Sequence, residues 1–262
     1  MKDLLKIRGL LFDLDGVLYV GSTLIEGAPE AVAEIKRQGL ICRFITNTST
    51  LSRHSLHAKI SGLGLPIEPE ELISAPQAAV LYLQSFDNPV CYLALTEDVR
   101  QDFAHLKQSE DQADFVIVGD IGESWSYPLL NKIFNLLMNG AQLIAIHKNR
   151  FWQTEQGLQM DIGAFITGLE YACQKQALVI GKPSPAFFGT ALQDMGVTPG
   201  ETAIIGDDID SDIGGGQDAG LTGILVRTGK YRQAYAEKSG VIPDFLIDSI
   251  RNLPFLLSNQ AR

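Results

Sequence analysis

One stretch, Gly9 to Gly21, constrains this chain more than any other: Gly-Leu-Leu-Phe-Asp-Leu-Asp-Gly-Val-Leu-Tyr-Val-Gly. Its apolar run is long enough for a buried strand, yet it ends in two acids one residue apart, Asp13 and Asp15, followed at once by Gly16. Burying unpaired carboxylates is costly, so the pair needs a reason. In one reading the strand delivers a carboxylate to the carboxyl edge of a parallel sheet, where open α/β folds bind their ligands. The other reading is a hairpin, because Asp-Gly between hydrophobic runs is a strong turn signal. The rest of the chain must separate them.

After this stretch the pattern alternates. Pro29–Gly39 has proline near its start and glycine at its end, as a helix does. Leu40–Ile45 reads as a second strand, and the polar cluster Thr46-Asn47-Thr48-Ser49-Thr50 can cap a helix running from Leu51 to Ser61. Such β-α-β-α order implies parallel pairing, with strand carboxyl ends on one edge. Asp13 and Thr46 therefore belong on the same rim.

From Pro76 the pattern restarts: helices at Pro76–Ser85, Glu97–Leu106, Tyr127–Asn139 and Ala164–Gln176, strands at Pro89–Leu95, Asp114–Val118 and Ala141–Ile146, and a short hairpin within Phe151–Ile162 around Glu155-Gln-Gly157. At Ala177–Ile180 a buried-strand pattern returns, followed by Gly181-Lys182-Pro183-Ser184-Pro185. Then come a helix at Ala186–Met195, a strand at Thr202–Ile205, the run Gly206-Asp-Asp-Ile-Asp-Ser-Asp212, strands at Gly223–Val226 and Phe245–Ile247, and a closing helix at Ser249–Leu257. The expected fold is α/β: a doubly wound, Rossmann-like parallel-sheet core from residues 1–75 and 178–262, interrupted by an inserted α/β cap domain at 76–177.

Composition narrows the function. With 262 residues and 45% hydrophobic content the chain can bury proper cores. Its net charge of −10 argues against a nucleic-acid or anionic-membrane surface. The three cysteines, Cys42, Cys91 and Cys173, are odd in number and lie in apolar segments, as free thiols in a reducing compartment do. No signal peptide and no apolar run of membrane-spanning length is evident, so a soluble cytoplasmic protein is expected.

Four strand ends carry polar groups: Asp13 with Asp15, Thr46 with Asn47, Lys182, and Asp207 with Asp208 and Asp212. Several carboxylates and one lysine make a poor anion site unless a divalent cation joins them, and hard Mg²⁺ takes oxygen ligands of this kind. A carboxylate approaching a phosphoryl group meets repulsion of about 4 kcal/mol per unit pair at about 4 Å and an effective dielectric of about 20. A metal at Asp13 and Asp207, together with Lys182, would offset it. Asp13 is then placed to attack phosphorus, with Asp15 as acid and then base. Thr46 and Asn47 would bind phosphate oxygens at a helix start. The acid spacing after Asp208 is not an EF-hand, since Ile213 and Ala219 stand where glycine and glutamate are required. His54, His57, His105 and His147 show no metal-ligand spacing.

Taken in order, these motifs resemble the haloacid-dehalogenase superfamily of phosphatases: Asp13-Leu-Asp15-Gly16-Val17, Thr46-Asn47, Gly181-Lys182-Pro183, and Gly206-Asp207-Asp208 to Asp212 match its four motifs. An insertion between the second and third resembles the subgroup with a class 2 cap, of the para-nitrophenyl-phosphatase and N-acetylglucosamine-operon type. Gly-Lys-Pro-Ser-Pro, Gly-Asp-Asp-Ile and Arg227-Thr-Gly-Lys230-Tyr look closest to the phospholysine phosphohistidine inorganic pyrophosphate phosphatases. The resemblance implies Asp13 as nucleophile and metal ligand, Asp15 as acid/base and ligand through its backbone carbonyl, and Asp207 as metal ligand. It implies Thr46 and Lys182 as phosphate binders, and Asp212 as the residue that orients Lys182 or the metal's waters. Two departures stand out: Thr48 where many relatives have asparagine, and Asp15 where some pyrophosphate-type members have serine.

The implied function is a Mg²⁺-dependent phosphatase of small phosphorylated molecules acting through an aspartyl-phosphate, with phospholysine, phosphohistidine or pyrophosphate as one substrate type. The alternatives are a phosphatase of phosphoglycolate, nucleotides or sugar phosphates, or a catalytically silent phosphate-binding protein. The cap loop His147, Lys148, Asn149, Arg150 and Trp152 supplies candidate leaving-group contacts, and analogy with the family extends to a homodimer.

Overall fold

The computed structural model describes residues 4–154 and 157–259. In chain order the strands are β1 (Gly9–Asp13), β2 (Tyr19–Val20), β3 (Thr23–Leu24), β4 (Ile41–Thr46), β5 (Leu72–Ser74), β6 (Val90–Ala94), β7 (Lys107–Gln108), β8 (Phe115–Val118), β9 (Gln142–Ala145), β10 (Phe151–Thr154), β11 (Gly157–Met160), β12 (Leu178–Val179), β13 (Thr202–Gly206), β14 (Thr222–Val226) and β15 (Phe245–Ile247).

Continuous apolar runs such as Gly-Leu-Leu-Phe in β1 and Ala-Ile-Ile in β13 suit strands covered on both faces. Every residue of β1, β13 and β14 is buried. These strands lie in a six-stranded sheet ordered β15-β14-β13-β1-β4-β5, parallel throughout. Because side chains alternate across a strand, Leu10 and Phe12 face one apolar layer and Leu11 the other. In the first layer Phe12 stacks on Phe44, ring centroids 5.1 Å apart.

From β1 the chain winds outward through β4 and β5, then returns to the other side of β1 through β13, β14 and β15. The reversal lies between β1 and β13, the place where doubly wound sheets open a crevice beyond the strand ends. Asp13 ends β1, Thr46 ends β4, and Asp207 follows the last residue of β13. The strand-edge reading of Asp13 therefore holds. The hairpin reading has a counterpart a few residues later, where Tyr19–Val20 pairs antiparallel with Thr23–Leu24.

A second parallel sheet, ordered β12-β9-β8-β6-β7, is built from the middle of the chain. Here one expectation is corrected. The strand at Leu178–Val179 does not rejoin the first sheet at residue 178; it pairs with Ile144–Ala145 of β9 and forms the edge of the second sheet. Nor is it the buried strand expected at Ala177–Ile180: as an edge it leaves Leu178 exposed and Val179 half-buried, because a short apolar run does not say which sheet accepts it. The helix expected over Glu97–Leu106 is also shorter, an α turn at Glu97–Arg100 followed by a 3₁₀ turn at Gln101–Phe103. The hairpin Phe151–Thr154 with Gly157–Met160 forms as expected; its tip, Glu155 and Gln156, lies outside the described residues.

The two sheets share one continuous apolar cluster, in which Leu11, Ile45 and Ile204 of the first join Leu93, Phe115, Ile117 and Ile144 of the second through Ala79, Leu83 and Phe187. Polar contacts reinforce the junction. Asp98 accepts from Ser52 N at 2.6 Å and from Ser55 Oγ at 2.9 Å, and Asp102 accepts from Arg53 N at 3.0 Å. Carboxylates there offset the positive end of the helix Arg53–Gly62. Among the described residues, no helix is long and apolar enough to cross a membrane.

Candidate active site

A cavity of about 450 Å³ opens where the carboxyl ends of the first sheet meet the second. Its floor is built on Lys182, which is 2% exposed. The ammonium donates to Asp13 Oδ1 and to Asp212 Oδ1, both at 2.6 Å. Burial lowers the affinity of such a lysine for its proton, but the Asp13 and Asp212 carboxylates more than compensate and hold its pKa above the usual value.

Asn47 fixes the lysine's backbone. Its Oδ1 accepts from Lys182 N and its Nδ2 donates to Lys182 O, each at 2.8 Å. The Asn47 side chain thus bridges β4's end to the turn at Gly181–Pro183, a positioning contact that leaves its backbone N–H out of this bridge. Gly215 allows the turn's approach: a Cβ there would sit 2.6 Å from Pro183 Cβ. Thr46 lines the cavity, its hydroxyl accepting from Thr48 N at 3.0 Å and donating to Thr48 Oγ1 at 2.9 Å.

Asp207 is 2% exposed. Its Oδ2 accepts from Lys230 N at 2.6 Å, while its Oδ1 is buried without a hydrogen-bond partner among the described residues. Burial, with the charges of Asp13 and Asp212 nearby, pushes its pKa well above the ordinary carboxylate value despite Lys230. Burial likewise raises Asp212 to about 6, against the pull of Lys182. Oxygens of Asp13, Asp207 and Asp212 all lie within 4.8 Å of one another. Three clustered carboxylates, one of them with a buried oxygen that lacks a hydrogen-bond partner among the described residues, fit a small divalent cation. The carboxylate of Asp15, expected to contribute through its backbone carbonyl, is outside this cluster, and Asp212, expected from the sequence as a supporting residue, is within it.

Asp15 is half-buried, lines the cavity, and is raised to about 6 by burial and by the Asp13 charge. A carboxyl that titrates there can give and take a proton near neutrality. Gly16 follows it with φ +92°, and a Cβ would fall 1.9 Å from Asp207 Oδ2, so only glycine lets the two motifs meet. Thr228 Oγ1 donates to Gly16 O at 2.5 Å and ties down the same turn.

Asp208 turns away from the cavity. Its Oδ1 accepts from Asp210 N and Ser211 N at 3.1 Å, capping the π-helical turn Ile209–Gly214. Burial opposes its charge, yet Lys230 and the Ser211 N–H hold its pKa below the usual value. Lys230 was not assigned a role from the sequence. The available signal was its place in the loop after β14, on the same sheet edge as the four motifs.

The roof comes from the second sheet: Asp120 follows β8, His147 and Asn149 follow β9, Trp152 lies in β10, and Asp161 follows β11. Asp120, Asp161 and Ser49 carried no recognisable motif. Of the five roof residues expected at Lys148 and its neighbours, two point elsewhere. Lys148 pairs with Glu170 at 2.5 Å, and Arg150 donates to Tyr235 OH at 3.0 Å.

Comparison with known proteins agrees with this geometry. A family model for haloacid dehalogenase-like hydrolases matches residues 10–107, and one for HAD-like hydrolases matches residues 179–253. The human phospholysine phosphohistidine inorganic pyrophosphate phosphatase (Homo sapiens) is 38% identical, the alignment covering 99% of this chain and 97% of that protein. The chain belongs to the haloacid-dehalogenase-like hydrolase family. Bovine haloacid dehalogenase-like hydrolase domain-containing protein 2 (Bos taurus) is also 38% identical, over 93% of each chain. The crystal structure of a 4-nitrophenylphosphatase from Thermotoga maritima superposes with a TM-score of 0.89 at 25% identity, covering 97% of this chain and 99% of that one. Relatives and structural neighbours of this kind are phosphatases of the class 2 cap subgroup, and this member is a hydrolase of the phosphatase type.

Proposed function

We propose that this protein is a Mg²⁺-dependent phosphatase of small phosphorylated molecules that works through an aspartyl-phosphate at Asp13. The observation that carries the reading is the floor itself: three carboxylates with oxygens within 4.8 Å, and a buried ammonium 2.6 Å from two of them. Mg²⁺ held by Asp13, Asp207 and the backbone carbonyl of Asp15, with Asp212 beside it, would neutralise the phosphate oxygens and cancel like-charge repulsion.

The chain's own groups supply the rest. The phosphoryl group sits against Lys182 and Thr46, and an Asp13 oxygen attacks phosphorus in line with the scissile bond. As that P–O bond breaks, the Asp15 carboxyl gives its proton to the departing oxygen. Asp15, now ionised, takes a proton from water, whose oxygen displaces the Asp13 oxygen from phosphorus. Inorganic phosphate leaves, and both carboxyl groups return to their starting states. Asn47 acts through Lys182, holding its backbone while the ammonium stays between Asp13 and Asp212.

The second sheet with its helices, from about residue 76 to the Leu178–Val179 strand, serves as the cap over this floor. The names of the relatives favour phospholysine, phosphohistidine or pyrophosphate as substrate type, with para-nitrophenyl phosphate as a general test ester. Phosphate release from a panel of phosphorylated metabolites, with Mg²⁺ and with chelator, tests the reading. Metal-dependent release from at least one compound is expected, and release that is indifferent to chelator would overturn the metal assignment.

A further inference from the structure

The cavity has two ends of opposite character. The floor pairs Asp13 and Asp212 with Lys182, and Asp207 accepts from Lys230 N. The roof, where a leaving group would lie, presents Asp161, which no lysine or arginine pairs among the described residues, Lys230 acting on it only at longer range. The sequence His147-Lys148-Asn149-Arg150 places two cations in the roof loop, but the fold removes both. Lys148 is held by Glu170, and Arg150 stacks on the Tyr235 ring, its guanidinium carbon 5.5 Å from the centroid.

Asp161 is what remains facing the cavity. Its side chain is 6% exposed. Oδ1 accepts from Ile162 N at 2.7 Å, and among the described residues the other oxygen has no hydrogen-bond partner. The nearest basic nitrogen is His147 Nε2 at 3.8 Å, but that ring is no cation. Burial, then the charges of Lys230 and Lys182, hold His147 down at about 3. Its Nδ1 accepts from Asn149 N at 3.4 Å, which leaves the ring proton on Nε2, toward Ser49 Oγ at 3.2 Å. Asp120 stands beside this group, its N–H donating to the same Ser49 Oγ at 2.9 Å. The half-buried Trp152 adds an aromatic face, which attracts cations. Lys59 lines the cavity too, but it lies over the Tyr19 ring, 4.4 Å from the centroid, and in the field of Asp15.

We infer that Asp161, with Asp120 lining the same roof, makes the cavity select phosphorylated molecules whose leaving group carries a cationic amine over those whose leaving group carries a carboxylate. A buried carboxylate without a cation of its own is costly unless a bound partner supplies one. A leaving-group ammonium supplies it and satisfies the open oxygen. A leaving-group carboxylate meets like charge in a place where solvent screens little, which is how protein sites reject wrong partners. This inference rests on the phosphatase reading and adds a substrate class to it.

The test uses two esters of equal length and opposite charge, phosphoethanolamine and 2-phosphoglycolate, with para-nitrophenyl phosphate as reference, in Mg²⁺. The wild-type protein is expected to favour phosphoethanolamine in kcat/KM by about tenfold or more. In Asp161→Asn the ratio of the two values falls about tenfold, and in Asp120→Asn it falls less. A ratio is internal to each variant, so general loss of activity does not distort it, and the wild-type ratio stands even where a variant fails to fold. A wild-type protein that hydrolyses para-nitrophenyl phosphate but prefers 2-phosphoglycolate, or shows no preference, overturns this inference alone. So does an Asp161→Asn ratio equal to that of wild type. Failure to hydrolyse any of the three esters overturns the phosphatase reading, and the inference with it.

Discussion

Replacing Lys182 by methionine isolates the electrostatics of the floor. Methionine keeps most of the apolar stem and removes the ammonium that sits 2.6 Å from Asp13 and from Asp212, at a side chain only 3% exposed. Breaking a buried ion pair by deleting one partner costs about 3–5 kcal/mol, because the remaining charge is left uncompensated. Here the residue left behind is a pair of carboxylates beside a third, Asp207. In the intact protein Asp212 already titrates at about 6, and without the lysine its folded-state pKa rises further. A carboxyl with a raised folded pKa has its stability in full below the unfolded pKa, about 3.9, and loses it as pH climbs through the folded value. The penalty of Lys182→Met is therefore full near pH 8 and falls to about half or less near pH 5. Urea unfolding in chelator, followed by tryptophan fluorescence at both pH values, measures it. A loss below about 1 kcal/mol, or a loss equal at the two pH values, would refute the argument that Lys182 holds Asp212 charged.

Other outcomes follow from the same geometry. Asp207→Asn removes the orphaned carboxylate charge and should weaken Mg²⁺ activation by about tenfold or more, read from the metal concentration that gives half-maximal turnover. Asp15→Asn should abolish the limb near pH 6 in the pH dependence of kcat/KM, where wild-type activity falls as the acid form is lost with rising pH; a limb that persists assigns it elsewhere. Gly16→Ala combines a φ of +92° with a Cβ placed 1.9 Å from Asp207 Oδ2, so it should cost at least about 1 kcal/mol in denaturant unfolding and lower Mg²⁺ activation as well.

Much of the first sheet was legible because its signals are local. Asp13, Asp15 and Gly16 end an apolar run long enough for a buried strand, and Lys182 and Asp207 follow similar runs. Parallel order then brought their strand ends to one edge without knowledge of any distance. What failed to show had no local signature. The two-residue strand at Leu178–Val179 could serve either sheet, and only its pairing with β9 decides. Edge strands such as β7 are two exposed residues, too short for any period. The role of the Asn47 side chain in clamping Lys182 depends on a partner 135 positions away, which no local pattern shows. Asp161 reaches the cavity through the fold of the second sheet, and the cations beside it in sequence are drawn off by Glu170 and Tyr235. Charge read from a loop's sequence therefore does not say which of its side chains line the cavity.

The most direct test of the proposed chemistry is phosphate release from para-nitrophenyl phosphate in Mg²⁺ by wild type and by Asp13→Asn, side by side. The substitution keeps the shape of the side chain and the fold, but removes the oxygen nucleophile. Wild type is predicted to turn over and Asp13→Asn to lose all measurable activity while retaining a cooperative thermal unfolding transition. An Asp13→Asn protein that releases phosphate at the wild-type rate would contradict an aspartyl-phosphate at this position.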